Sequence, residues 1–209
     1  MNVFSKFKEA KVNDLKIPIT ISDFGNYYIG AVSNEMDNLN NFIELASNWR
    51  EIYKTSFFSE FKQNIQGTKS WVKNLIEDDN RILFALTNDQ EFFGHIGFEY
   101  IPSDHIIEIG YILRFKDNPK GLITTSIQTL SSWIFNETKV KTIFLNVFSC
   151  NIKAIKIYEN CGFVLARKKI FYLKSFNDGS ILWLPKHEEK LAETVLQEIY
   201  EMHLNKCER

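Results

Sequence analysis

The clearest chemical signal in the sequence lies between Glu108 and Thr125, where an apolar strand leads into a polar loop and then into a helix that opens at Gly121. The first-turn N–H groups of a helix have no partner within it, and with the positive end of the helix dipole they form a cradle for phosphate. Glycine lets the backbone approach an anion without an obstructing Cβ, and Lys116 and Lys120 add positive charge at the rim. The segment is typical of an anion-binding turn, although glycine also opens helices in ordinary turns.

A second segment, residues 151–163, follows the next predicted strand. Asn151 is a good helix cap, and Ala154, Tyr158 and Cys161 share one face of the helix that follows. Taken alone, Tyr158 has two interpretations, as an ordinary core aromatic or as a functional hydroxyl.

Together the two segments resemble the acetyl-CoA-dependent GNAT N-acetyltransferases. That family has an (R/Q)xxGx(G/A) pyrophosphate loop and, downstream, an N…A…Y…GF helix. The loop here reads Asn118-Pro-Lys-Gly-Leu-Ile123, and the second motif is nearly complete as Asn151, Ala154, Tyr158, Gly162 and Phe163. The resemblance covers about residues 41–175.

The pyrophosphate loop departs from the family pattern at two positions. Asn118 stands where Arg or Gln is usual, and Ile123 replaces the small residue that admits the pyrophosphate. Because the family contacts CoA there largely through main-chain N–H groups, the expected fold is unaffected. The affinity for the cofactor is the property that these departures alter.

The resemblance implies that a substrate amine attacks the thioester of acetyl-CoA directly, without a metal. It implies that the backbone of Ile112, Leu113 and Phe115 bonds the pantetheine arm, and that Tyr158 protonates the departing thiolate. The remaining residues expected to bind the cofactor are Asn118, Lys120, Gly121, Leu122, Ile123, Thr124, Thr125, Asn151 and Ala154.

An ammonium group with a pKa near ~10 must lose a proton before it can attack, so a base is required. Glu108 lies between Ile107 and Ile109, where burial would raise its pKa toward a useful value. Glu99 and His95 are competitors on the preceding strand and share one face of it. A carboxylate in an apolar strand is also often a structural acceptor, so the choice of base stays open, with Glu108 preferred.

The first helix carries an Asn-Trp-Arg segment at residues 48–50. Either Trp49 is a core residue and Arg50 is solvated, or Trp49 stacks on a substrate ring and Arg50 grips a phosphate. With His95 and Glu99 these form the predicted acceptor site. The segment and the Asn-x-Lys-Gly loop resemble bacterial amino-sugar N-acetyltransferases, which act on nucleotide-linked 4-amino sugars in pseudaminic-acid-type and related surface-glycan pathways.

Two other functions remain open. Acetyltransferases of ribosomal-protein N-termini share the same motifs, so a peptide acceptor is one alternative. The other is a non-catalytic CoA-binding sensor or interaction module, which Ile123 favours because its side chain opposes the close approach of a pyrophosphate.

The order of elements predicts an α/β protein with a mixed, mostly antiparallel central sheet and flanking helices, which is also the GNAT order. The step from residue 105 to residue 148 predicts two parallel strands joined by a right-handed crossover. Leu15–Ser22 alternates like a strand in which Pro18 favours an edge position. Periodicity predicts helices near residues 40–53, 68–78 (capped by Thr68), 121–136 and 151–161, and strands at 81–87, 92–101, 105–114, 142–148, 163–174 and 181–184.

These elements predict an acetyltransferase domain at residues 41–185, preceded by an N-terminal extension at 1–40. Residues 186–209 are predicted to form a C-terminal amphipathic helix. Its apolar stripe could dock on the same chain or pair in a homodimer. The stripe consists of Leu191, Val195, Ile199 and Met202.

Composition limits the classes of function. The 209 residues carry 25 Lys+Arg against 26 Asp+Glu, and this lack of a basic excess argues against a nucleic-acid partner. No run approaches the roughly 18 apolar residues of a membrane helix, and the start lacks the apolar stretch of a secretory signal. Three cysteines without a CxxC pair and four scattered histidines favour neither a disulfide framework nor a metal site. A cytoplasmic protein is therefore expected, and the resemblance to the GNAT family implies a bacterial enzyme acting on a small-molecule amine.

Overall fold

A computed structural model describes Phe4 and residues 17–20, 26–60, 64–88, 90–115, 119–177, 180–185 and 195–207. Four α-helices are found among these residues: α1 (Leu39–Ile52), α2 (Ile65–Glu77), α3 (Leu122–Glu137) and α4 (Ile152–Asn160). The strands are β1 (Ile17–Thr20), β2 (Asn26–Ala31), β3 (Ser59–Glu60), β4 (Arg81–Thr87), β5 (Phe92–Ile101), β6 (Ile106–Arg114), β7 (Thr142–Phe148), β8 (Val164–Ser175), β9 (Ile181–Pro185) and β10 (Leu196–Asn205). None of the helices in the described ranges is long and apolar enough to cross a membrane.

All ten strands belong to one sheet in the order β1-β2-β4-β5-β6-β7-β10-β8-β9-β3. Strands β6 and β7 run parallel, and the other neighbours pair antiparallel. The sheet is thus mixed and mostly antiparallel, as the order of elements predicts. The helix α3 makes the connection between the two parallel strands, as a parallel pair requires.

Helices cover both faces of the sheet. On one face α3 and α4 bury Ile127, Leu130 and Ile155 against alternate strand residues, in a core that also holds Ile107 and Ile143. On the other face α1 and α2 bury a second, smaller core built around Phe42, Ala46, Val72, Leu75 and Leu83. The two cores leave the carboxyl ends of the central strands between the two helix layers.

Strands β6 and β7 pair only over a short stretch. Their register joins Ile107 to Ile143 and Glu108 to Phe144, although β6 continues to Arg114. On its other side β6 contains a β-bulge, in which two residues oppose one residue of β5 and Tyr111 adopts a φ of 51°. A bulge bends and twists its strand, so β6 separates from β7 beyond Glu108.

The predicted start of the second helix is wrong. The helix begins at Ile65, and its N-cap is Asn64, whose side chain accepts a hydrogen bond of 2.7 Å from the N–H of Gly67. Thr68 lies inside the helix with 1% of its surface exposed. Gly67 in the first turn weakens the helical pattern there, because glycine is a poor helix former.

The predicted C-terminal helix is also wrong. The residues from Leu196 to Asn205 form strand β10, which is inserted between β7 and β8 and pairs antiparallel with both. Residues 186–194, including Leu191, lie outside the described residues. Tertiary pairing has overridden the local periodicity, which often happens when a strand completes a sheet.

The N-terminal segment contributes to the same sheet. Strand β1 lies at its edge and includes Pro18, in the position that the missing N–H of proline favours. It pairs with β2, which pairs with β4, so residues 17–31 continue the sheet on that side.

Candidate active site

A cleft of about 960 Å³ lies where β6 and β7 separate. It has two walls of different construction. The helix wall is formed by the first turn of α3 and by α4, and contributes Lys120, Gly121, Leu122, Ile123, Thr124, Asn151, Lys153, Ala154, Ile157 and Tyr158. The aromatic wall comes from α1, α2 and the strands, and contributes Arg50, Tyr53, Phe57, Trp71, Arg81, Glu99, Glu108, Tyr111 and Asn146.

Gly121 is the N-cap of α3 and adopts a φ of 93° in the left-handed region. This conformation favours glycine, and an added Cβ would meet no atom within 4 Å. The carbonyl of Gly121 accepts the N–H of Thr125, while that of Pro119 accepts the N–H of Leu122. The N–H groups of Ile123 and Thr124 come before the first bond inside the helix, so they are the donors of this turn that suit an anion.

The helix α4 contacts α3 through its C-terminal end and completes the helix wall. The Asn151 side chain caps it by accepting a hydrogen bond of 3.2 Å from the N–H of Ala154. The Cys161 thiol donates to the carbonyl of Thr124 at 3.6 Å, which ties α4 to α3. Tyr158 lines the cleft, and burial raises the pKa of its hydroxyl, so the group stays protonated throughout the neutral range.

On the aromatic wall the side chain of Arg50 is packed between rings. Only 4% of the residue is exposed, and its guanidinium carbon lies 4.1 Å from the ring centre of Trp71 and 5.4 Å from that of Phe57. Burial lowers the pKa of Arg50 to about 10, which leaves it charged at neutral pH. The Trp71 ring in turn meets the Tyr111 ring edge-on at 5.7 Å. The wall thus presents a desolvated cation framed by aromatic rings.

Two carboxylates face the cleft beside these rings. Glu99 and Glu108 are directly opposite each other on β5 and β6. The Asn146 Nδ2 donates to the Glu108 Oε1 at 2.9 Å. Burial raises the pKa of Glu108, the bond from Asn146 opposes this rise, and the charge of Glu99 adds to it. A carboxylate whose pKa is raised in this way is a stronger base than an ordinary one, so it is suited to accept a proton from a substrate.

Most of the predicted site residues line this one cleft. Among the predicted cofactor residues, Ile112, Leu113, Lys120, Gly121, Leu122, Ile123, Thr124, Asn151 and Ala154 do so, and so do Tyr158, Glu108, Glu99 and Arg50. Ile123 is half-buried and packs against the core as it lines the cleft. Asn118, like Lys116, lies outside the described residues.

Four predicted residues do not line the cleft. Trp49 stacks on Tyr53 instead, with ring centres 5.7 Å apart, and this corrects its expected contact with the substrate. The N–H of Phe115 donates to the carbonyl of Phe93, so it is not available to the pantetheine arm as expected. Thr125 lies one turn into α3, with its N–H bonded inside the helix.

His95 is the fourth of these residues, and it is fully buried. Its Nδ1–H donates to the carbonyl of Tyr111 at the bulge, and its ring packs against Trp71 and Phe115. Burial, with the nearby charge of Arg50, lowers the pKa of His95 to about 3. A neutral, enclosed imidazole supports the bulge and is poorly placed to be the base, which corrects its predicted contact with the acceptor.

The sequence reasoning missed several residues of the aromatic wall. Trp71 and Tyr111 have no sequence signal that separates them from core aromatics. Asn146 does have one, since it is an amide within the apolar run Thr142–Phe148. Among the described residues, no group of three or more His, Cys, Asp and Glu side chains is placed to hold a metal ion.

This arrangement defines a class of protein. A mixed sheet that opens between two parallel strands, with an anion-binding helix N-terminus on one side of the opening and carboxylates on the other, is suited to acyl transfer from a phosphate-bearing thioester. The family comparison agrees: the acetyltransferase (GNAT) domain matches residues 32–164, more than half of the chain. The chain belongs to the GNAT family and is an acetyl-CoA-dependent N-acetyltransferase.

Two curated relatives are acetyltransferases called PseH from Campylobacter jejuni. The protein of strain 81-176 is 28% identical over 129 residues, which cover 59% of this chain and 77% of the relative. That of strain NCTC 11168 is 28% identical over 159 residues, covering 72% of this chain and 99% of the relative.

Solved structures share the fold at lower identity. A spermidine N-acetyltransferase from Vibrio cholerae, in complex with CoA and spermine, has a TM-score of 0.63 and 20% identity over 86% of this chain and 95% of that one. The ribosomal L7/L12 alpha-N-protein acetyltransferase RimL has a TM-score of 0.66 and 13% identity over 91% of this chain and 95% of that one. These likenesses concern the fold alone.

The helix wall fits the CoA that this family uses. The left-handed Gly121 leaves open space beside the first turn of α3, where a pyrophosphate needs close approach. Lys120 and Lys153 add positive charge on the same wall. The gap between β6 and β7 leaves the edges of both strands open to an extended chain such as pantetheine.

Proposed function

We propose that this enzyme acetylates the primary amine of a nucleotide-linked amino sugar used in surface-glycan biosynthesis. The observation that carries the proposal is the buried guanidinium of Arg50, which lines the cleft against Trp71 and Phe57. A guanidinium binds phosphate oxygens through two parallel hydrogen bonds, and removal from water strengthens that attraction. The flanking rings offer flat apolar surfaces to a base or a sugar.

The same wall disfavours the other acceptor classes. A polyamine could pair with Glu99 and Glu108, but it has no phosphate for the buried guanidinium of Arg50 to bind. A peptide N-terminus carries no phosphate that would use a desolvated guanidinium. The relationship to the two PseH acetyltransferases supports the same choice, because those matches rest on sequence, whereas the spermidine enzyme and RimL resemble this chain in fold alone.

In the proposed reaction acetyl-CoA supplies the acetyl group as a thioester. The Glu108 carboxylate takes a proton from the ammonium of the acceptor, which leaves a neutral amine able to attack the acetyl carbon. The new C–N bond forms as the C–S bond breaks, and the Tyr158 hydroxyl donates its proton to the leaving sulfur. The nitrogen loses its second proton to solvent as it becomes the amide. The raised pKa of Glu108 and the protonated state of Tyr158 suit these two roles.

The helix wall is assigned to the cofactor in this proposal. The first turn of α3 would hold the pyrophosphate through the N–H groups of Ile123 and Thr124, with Lys120 beside them. Ile112 and Leu113, on the part of β6 that has left β7, would bond the pantetheine arm. Asn151 and Ala154 would hold the side of the cofactor that faces α4.

An acceptor screen tests the substrate class. The enzyme is supplied with acetyl-CoA and, in separate reactions, a nucleotide-linked 4-amino sugar, the same amino sugar without its nucleotide, a peptide with a free N-terminus, and spermidine. The nucleotide-linked sugar is expected to give the highest kcat/KM. Preference for the peptide or spermidine would overturn the proposal.

Variants at Arg50 test its role in the same screen. Arg50→Met is expected to raise the KM of the nucleotide-linked sugar at least about tenfold, because a charge-assisted hydrogen bond is worth about 1.5–3 kcal/mol. The KM of the sugar without its nucleotide should stay unchanged. Trp49→Phe, at the neighbouring position outside the cleft, is the matched control and should change neither KM. An equal rise for both sugars would contradict a phosphate contact.

A further inference from the structure

Asn146 is a polar side chain in the middle of the apolar strand β7, and it reaches Glu108 on the neighbouring strand. Its Nδ2 donates to the Glu108 Oε1 at 2.9 Å. On its other side, its Oδ1 faces the Nζ of Lys169 on β8 at 3.5 Å. Asn146 thus lies between the Glu108 carboxylate in the cleft and the Lys169 ammonium, which does not line the cleft.

The position of Lys169 fixes the orientation of this amide. A lysine ammonium can only donate hydrogen bonds, so the side of the amide that faces it must be the oxygen. The NH₂ group then faces Glu108 and must meet an oxygen that accepts. The opposite orientation would direct the amide carbonyl oxygen at Glu108. The Glu108 carboxyl could donate a hydrogen bond to that oxygen only when it is protonated.

Lys169 is held in place by a buried carboxylate. It pairs with Glu201 of β10, which is 3% exposed. Glu201 also pairs with Arg167 at 2.9 Å and contacts His203 at 2.8 Å. The register places Asn146 beside Glu201, and Glu201 beside Arg167, on adjacent strands. The C-terminal strand therefore supplies the anchor for a chain of contacts that ends at Glu108.

We propose that Asn146, oriented by Lys169, is a positioning residue that holds Glu108 as a hydrogen-bond acceptor and so keeps the base of the acetyl transfer ionised. This inference rests on the proposed function, because it gives Glu108 the role of base. It adds two residues, one on β7 and one on β8, that act through Glu108.

Other charges around Glu108 work in both directions. Burial and the carboxylates of Glu99 on β5 and Glu201 on β10 raise the pKa of Glu108. The bond from Asn146 and the charge of Lys169 on β8 lower it. Arg81 on β4 stands next to Glu99 in the same row of cross-strand neighbours. Burial is the largest of these influences and the net pKa of Glu108 lies above its ordinary value, so without the oriented amide that pKa would lie higher still.

A direct titration of Glu108 tests the inference. The full-length enzyme is labelled with ¹³C at the glutamate side-chain carboxyl, the Glu108 signal is assigned from the spectrum of Glu108→Gln, and its pKa is measured by NMR. Lys169→Met keeps the length of the side chain but removes the ammonium. It should raise the pKa of Glu108 by about one unit, since a hydrogen bond to a charged group is worth about 1.5–3 kcal/mol.

Arg167→Met is the matched control, because Arg167 is the other basic residue of β8 paired with Glu201 and makes no contact with Asn146. It should leave the titration of Glu108 unchanged. An equal shift in both variants, or none in Lys169→Met, overturns the inference.

A double-mutant cycle separates orientation from simple charge attraction. If Lys169 acts through the amide, Lys169→Met should shift the pKa of Glu108 much less in an Asn146→Ala background than in the wild type. Equal shifts in the two backgrounds would mean that Lys169 acts by its charge alone, and the inference would fail.

The pH dependence of kcat/KM distinguishes this inference from the proposed function. When Glu108 is the base, the acidic limb of the profile moves to higher pH together with its NMR titration. If the titration moves and the limb does not, Asn146 and Lys169 do position Glu108, and the assignment of Glu108 as the base is wrong.

Discussion

The two walls of the cleft are built in different ways. The helix wall comes from two continuous segments, residues 119–124 and 151–158, and acts mainly through groups of α3 and α4 that lie close together in the sequence. The aromatic wall draws side chains from α1, α2, β4, β5, β6 and β7. The comparison teaches that the surface suited to the shared cofactor is a local structure, whereas the surface suited to the acceptor exists only after the chain has folded.

The charged side chains of the two walls also differ in how exposed they are to solvent. Lys120 and Lys153 on the helix wall are exposed, so solvent and salt screen their attraction for an anion. Arg50 on the aromatic wall is buried, and Glu108 is half-buried. Few charged groups are available to recognise the acceptor on the aromatic wall, so the loss of any one of them should have a larger effect on the kinetic constants. Variants on the two walls should therefore differ in size and in which kinetic constant they change.

The largest effect is expected from Glu108→Gln. This change keeps the size of the side chain but removes a base, and general-base catalysis contributes about 10²–10⁴-fold to rates. kcat/KM should fall within that range, and the acidic limb of its pH profile should disappear. A base works only when deprotonated, and burial raises the pKa of Glu108, so the wild-type limb should lie above the ordinary carboxyl range.

Variants at two nearby groups are the controls for this loss. Tyr158→Phe, on the helix wall, should lower kcat while the acidic limb stays in place, because it removes an acid and leaves the base. Glu99→Gln removes the opposing charge and should move the limb to lower pH with little loss of rate. If Glu99→Gln abolishes activity and Glu108→Gln does not, the two carboxylates have exchanged roles.

A smaller effect is expected from Gly121→Ala on the helix wall. The added Cβ meets no atom, so the cost comes only from a φ of 93°, which disfavours residues with a side chain by about 1–2 kcal/mol. The KM for acetyl-CoA should rise about 5–30-fold if the first turn must keep this conformation to bind, while the KM for the acceptor stays unchanged.

Gly30→Ala on β2 is the matched control for this variant. A Cβ there also meets nothing within 4 Å, and the residue does not line the cleft. Its KM for acetyl-CoA should equal that of the wild type. Equal KM values in Gly121→Ala and the wild type would show that the start of α3 does not hold the cofactor.

The difference between the walls also explains what the sequence could predict. Strands β4 to β7 and the helices α3 and α4 have clear periodicity, and the motifs at Gly121 and Asn151 lie at their starts. Local backbone chemistry determines such features, so a short stretch of sequence suffices. The contact of Arg50 with Trp71 joins two separate helices, α1 and α2, and no local pattern indicates it.

The C-terminal strand was misread for the same reason. Val195, Ile199 and Met202 follow a helical spacing, but β10 is fixed by its partners β7 and β8. Glu201 would face solvent in the helical interpretation, yet it is buried among Arg167, Lys169 and His203. Basic groups on β8 and β10 compensate the charge of Glu201 and make its burial possible. The periodicity of one segment cannot indicate partners that come from another strand.

The smallest effect is expected from Ile123→Ala, which restores the small residue of the family pattern. Ile123 lines the cleft in the first turn of α3 while also packing against the core. Removing its outer carbons should widen the approach to the backbone and lower the KM for acetyl-CoA by about two- to fivefold, a gain of roughly 0.5–1 kcal/mol. Loss of the packing should lower the free energy of unfolding by about 1 kcal/mol, less than for a fully buried side chain.

Ile123→Val is the graded control, and its KM for acetyl-CoA should lie between those of the wild type and Ile123→Ala. A KM that is unchanged or higher in Ile123→Ala would show that the isoleucine fits the bound cofactor as it is.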